Sequence, residues 1–188
     1  MQGNPAKPGE WSYDPETKTV VAFPEPAGTV ELRVVGIQPV EPGFTPGEKT
    51  TLKFEFESTL EGWQRQHDIA VFDQRGGMVY LEADGGDPYM GRSFCRIPGD
   101  SADRIRVRLA STAGTGIQFF WTIDGEPNMA EDKRIDVPMT ADNQFHEIVI
   151  PVGDHPKWRG QTITAIRLDP MAGAPKATVR IDWIRGEK

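Results

Sequence analysis

Helix-length apolar periodicity is missing from this chain. No segment of its 188 residues keeps a 3.6-residue apolar period for the length of a helix, which argues against an all-helical fold. No run of 18 apolar residues occurs, so no segment has the character of a membrane-spanning helix. Cysteine is represented once, by Cys95, which excludes an internal disulfide and leaves a small buried side chain as its expected role. The three histidines lie in unrelated polar contexts. They show neither zinc-ligand spacing nor a pairing with Cys95. Positive charge is in deficit: 21 Lys and Arg against 28 Asp and Glu give a net charge of −7. That balance opposes broad nucleic-acid binding while leaving room for a local basic face. No nucleophile elbow, phosphate loop or dinucleotide fingerprint is present. The acidic stretch Ala83-Asp84-Gly85-Gly86-Asp87 lacks the twelve-residue loop and closing Glu of an EF-hand.

What the chain does have is turn-formers and short alternating runs. Its 20 glycines and 16 prolines punctuate segments whose side chains alternate with a period of two. Leu52, Phe54 and Phe56 alternate with Lys53, Glu55 and Glu57. Ile105, Val107 and Leu109 alternate with Arg104, Arg106 and Arg108. Ile117, Phe119 and Trp121 alternate with Gln118, Phe120 and Thr122. Further strands are expected at 78–81, 145–152, 162–168 and 177–184. Short strands separated by Gly, Pro and Asp turns predict an all-β fold, an antiparallel sandwich or jelly roll. The Pro- and Gly-rich stretch 38–49 reads as a linker. It sets a boundary between an N-terminal extension, 1–49, with candidate strands at 19–23 and 30–37, and a β-sandwich domain, 50–188. The opening Met1-Gln2-Gly3-Asn4-Pro5 is not a signal peptide.

Two fragments about 120 residues apart give the chain a family likeness: Phe56-Glu57-Ser58-Thr59-Leu60-Glu61-Gly62-Trp63 and Thr178-Val179-Arg180-Ile181-Asp182-Trp183-Ile184. Between them lie Asp87-Pro88-Tyr89-Met90, the aromatic run Ile117-Gln118-Phe119-Phe120-Trp121, and Trp158-Arg159-Gly160 followed by Ile163-Thr164-Ala165-Ile166-Arg167-Leu168-Asp169-Pro170. In this order the motifs resemble galactose-binding-like β-sandwich carbohydrate-binding modules of the kind appended to bacterial polysaccharide-degrading enzymes. The likeness covers roughly residues 50–186. It implies adjacent first and last strands, with Glu57 and Asp182 holding a structural calcium. It also implies non-catalytic binding of a polysaccharide or oligosaccharide, a neighbouring catalytic domain in a larger chain, and a secreted, periplasmic or cell-surface setting. Neither nucleic acid nor membrane is implied as a partner.

Side-chain parity suggests where a sugar would bind. Arg106 and Arg108 point away from the core if Ile105 and Val107 point into it. Gln118, Phe120 and Arg167 do the same on their own strands. An aromatic ring with Arg and Gln beside it can stack on a pyranose and fix its hydroxyls, and arginine density suggests an anionic glycan. Tyr89 and Trp158, in turns, are candidates for contacts at the rim. The competing reading is a structural or interaction sandwich, with the arginines as a solvated face paired to acids and Phe120 covered. Trp63, Trp121 and Trp183 are expected in the core. No pair of acids stands in a recognisable catalytic context, and the Arg, Gln-x-His and Tyr-x-Lys motifs of jelly-roll lyases are absent, so the chain reads as no enzyme. His146, on a strand-like run, is expected to be an ordinary polar strand residue.

Overall fold

The computed structural model describes residues 11–14, 19–22 and 49–188. The chain divides into two units, Met1–Thr45 and Pro46–Lys188. In the first, β1 (Trp11–Asp14) pairs antiparallel with β2 (Thr19–Ala22). The strand expected at 30–37 lies outside the described residues.

The second unit is two antiparallel six-stranded sheets. The front sheet runs β11 (Arg134–Pro138), β10 (Gly116–Ile123), β13 (Thr162–Ala172), β7 (Tyr89–Arg92), β4 (Gln64–His67), with β8 (Ile97–Pro98) also on β13. The back sheet runs β12 (His146–Ile150), β9 (Arg104–Ser111), β14 (Thr178–Glu187), β6 (Met78–Ala83), β5 (Ile69–Arg75), with β3 (Lys53–Phe54) also on β14. Among the described residues the helical elements are two three-residue 3-10 turns. The all-β sandwich expected from the alternation is thus what forms. Strand β3 pairs with β14 through Phe54 and Ile184, so the first and last strands of the sandwich are neighbours.

The core lies between the inward rows of the two sheets. Ile117, Phe119 and Trp121 of β10 and Ile166 and Leu168 of β13 meet Ile105, Val107 and Leu109 of β9 and Val179 and Ile181 of β14 within one buried cluster. Each fully buried aliphatic side chain contributes roughly 1.5–3 kcal/mol, which explains how the unit dispenses with disulfides.

Three expectations are corrected here. The run 51–57 does not continue as a strand past Phe54. Phe56 turns to φ +56°, and Glu61 folds back so that its Oε1 accepts from the backbone N–H of Glu55 at 2.7 Å and Phe56 at 2.6 Å. Trp183 is not in the core, because a bulge between Ile181 and Trp183 breaks the strand alternation. Its half-buried ring instead carries the Arg185 guanidinium 4.1 Å from its centroid. Trp158, in contrast, is a core residue with 0% exposure. Its ring packs edge-on at 5.4 Å from Trp121 and 6.2 Å from Phe119. Its Nε1 donates to the Ala102 carbonyl at 3.1 Å. Gly99 makes this seat possible: a Cβ there would lie 1.8 Å from the Trp158 carbonyl oxygen.

Candidate functional site

The outer face of the front sheet gathers the polar and aromatic side chains of five strands into one ladder. Register places Arg134 of β11 opposite Phe120 of β10, and Phe120 opposite Arg167 of β13. Arg167 faces Gly91 of β7, two residues beyond Tyr89. The Arg167 guanidinium lies 3.4 Å from the Tyr89 ring centroid and 4.7 Å from that of Phe120. Arg134 approaches Phe120 from the other side at 5.6 Å. His67 of β4 stacks on Tyr89 at 5.5 Å with planes 8° apart. The order across the sheet is therefore His67, Tyr89, Arg167, Phe120, Arg134. Such cation–π stacking gains in strength when water is excluded.

Hydrogen-bonding groups line both sides of this ladder. Arg167 is clamped by Asp169 through Nε–Oδ1 and Nη2–Oδ2 contacts of 2.7 Å each, and by Asp87 Oδ1 at 3.3 Å. Arg134 pairs with Glu131 and with Asp136, whose Oδ1 is 2.9 Å away. Gln118 donates to the same Asp136 oxygen at 3.2 Å. Burial pushes the Asp169 carboxyl above its ordinary value, against the downward pull of Arg167. Gly91 leaves room for Gln66, since a Cβ there would be 2.7 Å from the Gln66 amide nitrogen.

The loop after β7 carries Phe94, which is 80% exposed at φ +57°. A left-handed backbone is costly for a residue with a Cβ. The loop is fixed by its neighbour: Cys95 is buried as expected, and its N–H donates to Thr164 of β13 at 2.8 Å. The Thr164 hydroxyl in turn contacts that of Thr122 at 2.8 Å, two residues from Phe120 on the same strand face.

The candidates from sequence divide between two faces. Gln118, Phe120, Arg167 and Tyr89 come together on the front. Phe120, at 6% exposure, is enclosed between arginines and is no open platform. Arg106 and Arg108 stand on the back sheet and share no surface with the other four. Arg106 pairs with Glu147 at 2.8 Å and Glu187 at 3.1 Å, and Arg108 with Asp182. They form a salt-bridged sheet face. Trp158 is buried, so its ring offers nothing to a ligand at the rim. His67, Gln66, Arg134 and Phe94 escaped the sequence reading. His67 and Gln66 sit on a short, wholly polar strand, and Phe94 has no periodic context; Arg134 could have been found, since Arg134 and Asp136 alternate with Ile135 and Val137 on β11. Asp169 was legible as the residue two beyond Arg167, on the same strand face.

Of the two residues expected to hold calcium, Glu57 and Asp182, one carboxylate is engaged elsewhere and the other is exposed. Asp182 is the partner of Arg108. The backbone carbonyls of Phe56 and Glu57, suited by chemistry to calcium, accept from the Gln74 side-chain amide at 2.8 and 3.0 Å. Glu57 is exposed, its Oε2 lying 3.1 Å from the point where a Cβ would stand on Gly77. Among the described residues, no group of three or more His, Cys, Asp or Glu side chains could hold a metal ion. With Asp182 held by Arg108, the pair named by the resemblance belongs to no cluster of three such side chains among the described residues. His146 pairs with Asp142 at 2.8 Å on the edge strand β12, which lowers the Asp142 carboxyl pKa.

No protein-family model matches the chain, and no curated protein matches it in sequence. Solved structures do resemble it. A family 6 carbohydrate-binding module from Clostridium cellulolyticum, crystallised with xylose, aligns with a TM-score of 0.50 at 14% identity, over 75% of this chain and 100% of that one. The two share a β-sandwich fold. A family 28 module described as specific for non-crystalline cellulose aligns at a TM-score of 0.48 and 16% identity, over 76% of this chain and 96% of that one. The family 6 likeness spans the whole of that module, and the sandwich alone is enough to account for it.

Proposed function

We propose that this chain is a non-catalytic carbohydrate-binding module that engages a polysaccharide along the front sheet and its rim. The observation that carries this reading is Phe94, an apolar ring standing in solvent on a strained backbone in the loop that follows β7, one of the strands of the polar and aromatic ladder. Backbone strain of this kind clusters at ligand sites, and an exposed ring with convergent polar groups suits the apolar and hydroxyl surfaces of a pyranose. Fold likeness to a module that binds xylose supports the same reading.

The module would act by proximity, holding an attached or neighbouring polysaccharide-degrading domain at high effective concentration on its polymer. A secreted or cell-surface setting belongs to that role. The second reading, a scaffold without a sugar site, draws on the salt bridges that engage Arg104, Arg106 and Arg108 on the back sheet.

The test is affinity electrophoresis against a panel of soluble polysaccharides. Retardation of the wild type by at least one polymer, abolished in Phe94→Ala and retained in Arg108→Ala, supports the front-face site. Equal mobility of all three proteins in every gel would leave the scaffold reading standing.

A further inference from the structure

Arginine density alone suggests an anionic glycan. The front face points the other way once each arginine is followed to its partners. Arg167 is shared between Asp169 and Asp87, and Arg134 between Glu131 and Asp136. Two guanidiniums thus meet four carboxylates, and the cluster carries an excess of negative charge. The Asp169 side chain is almost fully buried and holds the Nε/Nη2 edge of Arg167 in a bidentate clamp. Asp87, Asp136 and Glu131 keep more than half of their side-chain surface in solvent.

Resting on the reading of this face as a sugar site, we propose that these carboxylates are its specificity determinants, selecting a neutral glycan and refusing uronate or sulfate. An anionic group approaching Arg167 or Arg134 meets a guanidinium already neutralised, and two nearby carboxylates that repel it. Like-charge juxtaposition of this kind is an effective way to reject a wrong partner. A neutral sugar meets no such repulsion. Its hydroxyls donate to the exposed oxygens of Asp87, Asp136 and Glu131, and accept from the amides of Gln118 and Gln66.

The experiment compares the wild type with Asp87→Asn/Asp136→Asn, and with Asp136→Asn alone in case the double variant folds poorly. The probes are hydroxyethylcellulose and xylan as neutral polymers, and polygalacturonate and dextran sulfate as anionic ones. The expected result is retardation of the wild type by a neutral polymer only. The variants are expected to gain affinity for an anionic polymer by on the order of tenfold, about 1.4 kcal/mol, as the exposed carboxylates that repel it are neutralised. Wild-type retardation by an anionic polymer, or variants that gain nothing, overturns the proposal. Variants that gain anionic binding over a wild type that binds no polymer would uphold the charge filter while removing the sugar reading beneath it.

Discussion

Arg167 and Asp169, two residues apart on β13, lie side by side on the outer face of the front sheet and are joined by two hydrogen bonds of 2.7 Å. The pair sits at the centre of the ladder, with Tyr89 and Phe120 on the two sides of the guanidinium.

Removing one member therefore costs more than one hydrogen bond. Asp169→Ala leaves a largely enclosed guanidinium with only Asp87 for a partner, and a loss of about 3 kcal/mol is expected in urea unfolding. The double variant Arg167→Met/Asp169→Leu is expected to recover much of that loss, because an apolar pair leaves no unpaired charge. A double variant as unstable as the single one would show that packing, and not the stranded charge, dominates.

Phe94 separates binding from folding. Phe94→Gly relieves a left-handed backbone while adding freedom to the unfolded chain, so stability is expected to stay within about 1 kcal/mol of the wild type. Retardation in polysaccharide gels should nevertheless disappear. A Phe94→Gly protein with undiminished retardation would move the site off this loop.

Trp158 is expected to behave in the opposite way. Trp158→Ala empties a fully buried position against Trp121 and Phe119, and a destabilisation of roughly 3–5 kcal/mol is expected by thermal or urea unfolding. Near-wild-type stability would contradict its place in the core.

Gln74 binds the turn at Glu57, one of the two residues expected to hold calcium. Its amide ties together the carbonyls of Phe56 and Glu57, and Gln74→Ala is expected to cost about 1–2 kcal/mol. The wild-type melting temperature is expected to be the same in calcium and in chelator. A clear fall on chelation would restore calcium to this edge of the sandwich.

Acid should unfold the protein through its paired carboxylates. Hydrogen bonding to Arg185 lowers the Glu55 pKa from 4.5, and hydrogen bonds to Lys157 lower Glu126 from 4.5 and Asp132 from 3.8. A carboxylate held below its unfolded value contributes stability that is complete above that value and is lost as pH falls through the folded one. Asp169, raised by burial, has the opposite sign: it favours the fold more as it protonates. The melting temperature should fall steeply below about pH 4, after a shallower decline that begins near pH 6.5, because burial lowers the His155 pKa from 6.5 and the unfolded chain takes up that proton first. In Glu55→Gln the acid limb is expected to be shallower.

Period-two alternation in 104–109, 116–123 and 178–181 reports which side chains face a core, and a sandwich follows from it without further information. The Gly- and Pro-rich turns show where strands end. The same alternation says nothing of which sheet a strand joins. Arg106 and Gln118 have the same outward parity, yet pairing across distant strands puts them on opposite surfaces. Local geometry hid the rest. A bulge at Asp182 carried Trp183 out of the core, a left-handed Phe56 cut short the first strand, and Gly99 opened a seat for Trp158. Short strands such as 64–67 and 89–92 owe their existence to partners far along the chain. The amino-acid sequence by itself determined an all-β core and its inward rows, because burial acts through side-chain period. The tertiary structure alone decided the ladder from His67 to Arg134, because its neighbours are set by long-range hydrogen bonding between strands.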